Sequence, residues 1–240
     1  MKVKVVDKWL GQQLSSHGLA DSVRKTIEAR IPKIKGACLE IVQIVNDWRS
    51  RAVGGMETAI LLWEACCIPS LLHGAGTWVE IPEDSVKTLN QLQMWFLRLV
   101  LQVGPGAPHA SLAWDSGCLG MDLRVMKEKM MMTIHLRELD DDTLARSIYE
   151  EQVSQDHPGL AKEVELISKE LGIEDSNTTR LTKKDYKFLV SAACQSKDEE
   201  RLQDKAQGKC SRIGNESYGK KDYFLKKSNT RCTANISNKI

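Results

Sequence analysis

The stretch that decides the fold covers residues 54–78 and has the sequence GGMETAILLWEACCIPSLLHGAGTW. Its apolar residues recur at helical spacing, which predicts an amphipathic helix over 56–67. Four apolar residues fall on the inner face of that helix: Met56, Ile60, Trp63 and Cys67. Proline at position 69 predicts a break at Ile68-Pro69, because proline has no amide hydrogen to donate within a helix. A short restart and an end at the Gly-x-Gly turn before Trp78 complete the predicted segment.

A longer amphipathic helix precedes this stretch. Its apolar residues recur at steps of three or four: Val23, Ile27, Ile31, Ile34, Cys38, Ile41, Val45 and Trp48. Such spacing places them on one stripe of a helix, and Pro32 predicts a kink or a break near Arg30–Ile31. The same periodicity predicts five further helices, over residues 83–103, 122–139, 143–154, 158–172 and 183–207.

The N-terminal residues have a strand pattern instead. Residues 2–6 alternate polar and apolar, and residues 8–14 can form a second short strand. The sequence therefore predicts a mainly α protein, a helical bundle with a small N-terminal β-hairpin and a poorly ordered basic C-terminal tail.

Charge is distributed unevenly along the chain, although the whole sequence has a net charge of only +2. Residues 1–179 carry 19 Lys+Arg and 25 Asp+Glu, a net of −6, whereas residues 180–240 carry 15 and 7, a net of +8. A basic tail on an acidic body favours contact with nucleic acid or another polyanion. A solvated tail of marginal order is the alternative, and composition leaves both open.

The first long helix also carries basic residues, which we expect on the face opposite its apolar stripe. They are Arg24, Lys25, Arg30, Lys33 and Lys35. Lysine and arginine on a helix suit sequence-independent phosphate binding. A basic face that is only solvated is the other interpretation.

Enzyme and metal signatures are sparse. We find no glycine-rich phosphate loop, no Gly-x-Ser-x-Gly elbow and no His-Glu-x-x-His helix. The acidic run Asp140–Asp142 precedes a predicted helix, and we expect it to cap that helix rather than hold a metal. The seven cysteines form no zinc-binding spacing. We therefore expect no metal site and an intracellular protein of the cytoplasm or nucleus, without membrane contact.

Several blocks, in order, resemble one protein family. Lys8-Trp9-Leu10-Gly11 is similar to the Lys-aromatic-Leu-Gly of a primer-grip hairpin. The blocks that follow in matching order are GLADSVRKTIEAR, LWEACCIPSLLHGAGTW, LNQLQMWFLR, LAWDSGCLGMDLR, HLREL, LARSIYEEQ and PGLAKEVELISKELGI. They are spread over about residues 3–179, roughly three quarters of the chain, and this region resembles the one downstream of the polymerase palm in non-LTR (LINE-type) retrotransposon reverse transcriptases.

The resemblance implies a division of the chain into four parts. These are a primer-grip-like hairpin (1–17), a thumb-like helical domain (18–103), a post-polymerase helical region (104–179) and a basic tail, partly helical or disordered (180–240). It also implies that Lys8, Trp9, Leu10 and Gly11 match the primer grip. The thumb and primer grip of that family clamp primer–template, so RNA/DNA primer–template is the expected partner.

The sequence also departs from the family. The catalytic aspartates of such polymerases lie in the palm, upstream of the primer grip, and residues 1–240 contain no counterpart of that motif. Asp140–Asp142 lie downstream and cannot replace it. The Cys/His segment that commonly follows in the family has no match in this chain. We therefore expect a fragment that is inactive alone, with Mg²⁺ relevant only to a complete polymerase.

The alternative to a clamp is a helical protein-interaction module, or a non-functional retroelement remnant. Such a chain would associate with itself or with a protein partner through exposed helix faces.

Overall fold

Helices make up most of the chain, as the spacing of its apolar residues predicts. The computed structural model describes residues 6–9, 12–49, 55–173 and 181–210. The helices are α1 (Leu19–Arg49), α2 (Gly55–Leu62), α3 (Ile68–Leu71), α4 (Glu83–Leu101), α5 (His109–Ser116), α6 (Met121–Glu138), α7 (Leu144–Ser154), α8 (Leu160–Leu171) and α9 (Lys183–Cys210). The predicted mainly α class is confirmed, whereas the part of the predicted tail beyond residue 210 lies outside the described residues.

Residues up to Gln203 form one compact unit, and a second unit begins at Asp204. Of the second unit the structure describes only residues 204–210, the end of α9. The division into four parts implied by the resemblance stays a prediction.

Strand β1 (Val6–Trp9) pairs antiparallel with β2 (Gln12–Ser15), with Trp9 opposite Gln12. The predicted hairpin is confirmed, but the predicted strand bounds were wrong. Lys8 and Trp9 belong to the first strand, because the connection falls at positions 10 and 11 rather than near residue 7. Glycine at position 11 is typical of a two-residue hairpin connection, although residues 10 and 11 themselves lie outside the described part.

Helix α1 runs without interruption through Pro32, so the predicted break does not occur. Its predicted stripe is largely confirmed, because six residues of the stripe are buried: Val23, Ile27, Ile34, Cys38, Ile41 and Val45. Thirty-one residues of continuous helix with one buried stripe supply enough apolar contact to hold the helix through the hydrogen bond that proline removes.

The predicted break at Ile68-Pro69 is also absent, because a π-helical turn replaces it. Residues Trp63–Cys67 form this turn between α2 and α3, and the amide of Ile68 donates to the carbonyl of Trp63, five residues earlier. Pro69 cannot donate, and its ring would collide with the carbonyl of Ala65 in an ordinary α-helix. The wider π turn relieves that collision, so the chain stays helical from Gly55 to Leu71.

At both positions of the Gly-x-Gly turn after α3, glycine is favoured for a steric reason. Gly74 has a left-handed backbone (φ 74°), which glycine adopts without strain. A Cβ at Gly76 would lie 2.7 Å from Cβ of Met132 and 2.9 Å from the carbonyl oxygen of Glu128. The turn therefore packs its bare backbone against α6, and Trp78 follows it into the core, where it is 1% exposed.

Two hydrophobic clusters organise the helices of the first unit. The first joins the buried faces of α1 to α5 and includes Trp63 stacked on Phe96, with ring centroids 4.7 Å apart. The second joins α6, α8 and the first half of α9 through residues such as Met130, Val164 and Val190. The first cluster contains Leu112, Cys118 and Met121 as well as α1 residues, so α5 and the start of α6 pack with α1 to α4. No helix among the described residues is long and apolar enough to cross a bilayer.

Candidate nucleic-acid interface

The hairpin docks edge-on against α1 through two backbone donors. The amide of Gln13 donates to Oγ1 of Thr26 (2.8 Å), and the amide of Ser15 donates to Oγ of Ser22 (2.9 Å). Residues four apart on a helix rise by about 6 Å, close to the roughly 6.8 Å between alternate strand residues. Ser22 and Thr26 are therefore spaced to satisfy the outer edge of β2, and both are buried.

A carboxylate strengthens this junction. The hydroxyl of Ser15 donates to Asp21, and Nζ of Lys25 pairs with the same carboxylate at 2.8 Å. These hydrogen bonds, from Lys25 first and then from Ser15, hold the pKa of Asp21 below its usual value of 3.8. Strand β2 is therefore fixed to the first turns of α1.

The predicted primer-grip residues are only partly described. The backbones of Lys8 and Trp9 lie in β1, at its turn end, while their side chains lie outside the described part of the structure. Leu10 and Gly11 lie outside it entirely. Their assigned role stays a prediction.

Two of the five candidate phosphate contacts on α1 are paired with carboxylates. Arg24 lies 3.3 Å from Asp84 at the start of α4, and Lys25 pairs with Asp21 as described. Each of these two basic side chains already has a carboxylate partner. Binding a phosphate would therefore require it to give up that ion pair.

Arg30 has a structural role. One of its terminal nitrogens donates to the carbonyls of Leu71 (2.9 Å) and His73 (2.7 Å), which the end of α3 leaves without helical donors. Its guanidinium also lies 5.8 Å from the ring centroid of Trp78, within cation–π range. Burial lowers the pKa of this group. The sequence offered no signal for this role, because the two carbonyls are 41 and 43 residues away.

Lys33 and Lys35 are exposed, as Arg24 is, but neither forms an ion pair with a described residue. Nζ of Lys35 lies 5.6 Å from the ring centroid of Trp95, on the flank of α4. Lys33 makes no ion pair with any described residue. Of the five candidates, these two are therefore the best placed to meet an external phosphate.

The five residues do not share one face. A helix turns by about 100° per residue, so Lys25 lies opposite the buried stripe, Arg30 lies beside it, and the other three lie on its two flanks. The expectation of a single basic face was wrong, because the charge pattern alone takes no account of this angular spread. The outermost line of α1 instead carries Lys25 followed by three small, exposed residues, Ala29, Pro32 and Gly36.

The acidic run before α7 does not cap that helix. Thr143 is the N-cap residue, and no side chain makes a capping hydrogen bond there. Asp141 pairs instead with Arg146 at 2.5 Å, and the carbonyl of Asp140 accepts from the amide of Thr143 (2.9 Å). The part of the chain that the structure describes contains no group of three His, Cys, Asp or Glu side chains placed to hold a metal ion.

Comparisons with protein-family models, with curated proteins and with solved structures find no match to this chain.

Proposed function

We propose that this chain is a thumb and connection segment of a non-LTR-type reverse transcriptase, which binds RNA/DNA primer–template and does not catalyse alone. The docking of the hairpin on α1, through Gln13 to Thr26 and Ser15 to Ser22, carries the proposal. A clamp must hold its grip hairpin at a fixed position relative to its thumb helix, and here the second strand of the hairpin makes the contacts. Two backbone hydrogen bonds to buried hydroxyls meet that requirement.

The outward line of α1 supports the same function. Ala29, Pro32 and Gly36 have short or absent side chains, so a nucleic-acid backbone can approach the helix closely along this line. Lys33 and Lys35 lie on opposite flanks of it, where each can contact a phosphate. We name these three small residues and two lysines the α1 strip.

The proposed setting is intracellular, in the cytoplasm or nucleus. The described cysteines are free thiols, and four of the five are buried, which suits a reducing compartment. A complete polymerase would supply the catalytic aspartates and Mg²⁺ from its palm, so this segment needs no cofactor of its own for binding.

Binding of the purified chain to a labelled RNA–DNA primer–template, measured by fluorescence anisotropy across a salt series, tests the proposal. We expect micromolar or tighter binding at low salt that weakens steeply as salt rises and does not depend on sequence, because phosphates supply the contacts. No binding at low salt would exclude the proposal.

A helical protein-interaction module is the second candidate, and α7 favours it. Leu144 and Ile148 are one turn apart on the same face of that helix and are 73% and 46% exposed. Apolar side chains so exposed can pack against another surface. Light scattering over a concentration series tests the self-association form of this candidate, which predicts a mass that rises with concentration.

A further inference from the structure

Helix α9 presents an exposed aromatic ring between two lysines. Phe188 is 47% exposed, whereas Tyr186, Val190 and Cys194 are buried in the second hydrophobic cluster. Phe188 is two residues from both Tyr186 and Val190, so it lies on the opposite side of the helix. Lys184 precedes it by one turn and Lys187 is its neighbour, and both are exposed. We name Lys184, Lys187 and Phe188 the aromatic–lysine surface.

The acidic side chains near these two lysines have other ion-pair or hydrogen-bond partners. Lys183 pairs with Glu138 at 3.0 Å. Asp185 is engaged by Thr182, whose hydroxyl donates to its carboxylate (2.8 Å) and accepts from its amide (3.2 Å). Lys184 and Lys187 form no ion pair with any residue that the structure describes.

These lysines also oppose the local rules of helix stability. Residues Lys183, Lys184 and Lys187 lie in the first turns of α9, where the helix dipole disfavours positive charge. Neither Lys184 nor Lys187 forms an ion pair with a described residue, and together with Asp185 of the same first turn they leave a net positive charge at this end of the helix. Positions that break a local rule without a compensating contact are typical of functional surfaces.

The surroundings of the ring leave it accessible. Side chains on a helix lean toward its N-terminus, so the side of Phe188 away from Lys184 is bordered by Ala192 and, one turn later, Gln195. Ala192 is small and exposed, and it leaves room for a flat group against the ring. Gln195 is exposed and offers hydrogen-bond donors and an acceptor next to that space.

We infer that the aromatic–lysine surface binds single-stranded nucleic acid, with a base stacked on Phe188 and the adjoining phosphates at Lys184 and Lys187. Stacking on an aromatic ring combined with cationic contacts to the backbone is how single strands are held without sequence preference. An acidic peptide without aromatic residues would satisfy the lysines but would place no ring on Phe188. This site is separate from the α1 strip and does not rest on the function proposed above, which concerns a duplex.

Anisotropy of a labelled oligothymidine tests the inference, using the full chain and its variants. Residues 205–240 are basic, with 9 Lys+Arg and 2 Asp+Glu, so differences between variants carry the test rather than the affinity of the wild type alone. We expect Phe188→Ala to weaken binding by about fivefold or more, the loss that follows from removing one stacked base, and Phe188→Trp to restore it. The matched control is Leu166→Ala, which removes another exposed apolar side chain, 58% exposed on α8, and should leave binding unchanged.

The lysines are tested through the salt dependence. Removing two phosphate contacts to a single strand should reduce the slope of log affinity against log salt by about 1.4, so Lys184→Gln with Lys187→Gln should flatten it by that amount. Lys162→Gln with Lys169→Gln is the control on α8, because both lysines are paired there. No binding of oligothymidine at low salt, no effect of Phe188→Ala, or equal competition by polyglutamate would each overturn the inference. Because Phe188 is exposed, circular dichroism of each variant should match the wild type.

Discussion

Arg30 shows how one residue that looks suited to binding can belong to the fold. Its guanidinium closes the end of α3 by donating to Leu71 and His73, and it lies over Trp78. Arg24, on the same helix, forms an exposed ion pair with Asp84. Both arginines lie on α1. Comparing the effects of their substitution therefore separates the contribution of a structural guanidinium from that of a surface ion pair.

We predict that Arg30→Ala lowers the free energy of unfolding by about 3 kcal/mol, because two hydrogen bonds from a charged group and a cation–π contact are lost. Arg24→Ala should change it by less than about 1 kcal/mol, as is usual for an exposed ion pair. Urea denaturation followed by circular dichroism measures both. Equal effects of the two substitutions would show that Arg30 is not the structural member of the pair.

Substitution of glycine by alanine should have opposite effects on stability at Gly76 and at Gly36. A Cβ at Gly76 would meet Met132 and the Glu128 carbonyl at under 3.0 Å, whereas a Cβ at Gly36 would meet no atom within 4 Å. We therefore expect Gly76→Ala to destabilise the protein by about 1–3 kcal/mol. Gly36→Ala should stabilise it by about 0.5–1 kcal/mol, because alanine is the better residue in a helix interior. Urea midpoints that moved in the same direction would contradict this account of the turn.

At the scale of elements, an ionised Asp21 strengthens the docking of the hairpin on α1. The pKa of this carboxyl is lower in the folded protein than its usual 3.8, because Lys25 and Ser15 donate to it. Its contribution to stability is therefore present above about pH 4 and is lost as pH falls through the lowered folded value.

We predict that Asp21→Asn reduces the loss of stability on acidification below about pH 4, since the substituted side chain no longer titrates. Asp142→Asn is the control, because Asp142 is exposed and forms no ion pair with a described residue. Urea midpoints measured from neutral pH down to about pH 2 provide the comparison. If the two variants had the same acid profile as the wild type, Asp21 would not contribute to acid sensitivity.

Comparing the predicted helices with the observed ones shows which elements can be predicted from sequence. Periodicity identified α1, α4, α6, α8 and α9, because long amphipathic stripes are specified within each helix. It missed α5, a short helix of eight residues. The π turn at Trp63–Cys67 was missed because proline usually ends a helix, and only packing on both sides decides whether the chain accommodates it instead.

The candidate site was less predictable than the helices. Sequence predicted the N-terminal hairpin and the long helix that follows it, but not the hydrogen bond from Gln13 to Thr26 that joins them. It assigned Arg30 to phosphate binding because the carbonyls that this residue meets are distant in sequence. Lys33 and Lys35 stay candidates for phosphate contact, because the structure shows both to be exposed.

At the scale of the whole molecule, two charge features compete. Residues 1–179 are acidic overall, which opposes a polyanion, while residues 180–240 are basic. Binding of nucleic acid by the chain as a whole therefore does not locate the contact. The location has to come from variants of the α1 strip, measured on the duplex for which that strip is proposed.

The most direct measurement is the salt dependence of binding to a labelled RNA–DNA primer–template by the wild type and by Lys33→Glu with Lys35→Glu. The control is Lys162→Glu with Lys169→Glu on α8, which changes the net charge by the same amount. We predict that the α1 variant loses affinity and that its slope of log affinity against log salt falls by about 1.8, because two duplex phosphates lose their contacts. The control should keep the wild-type slope. Equal slopes for the wild type and both variants would contradict the proposed clamp.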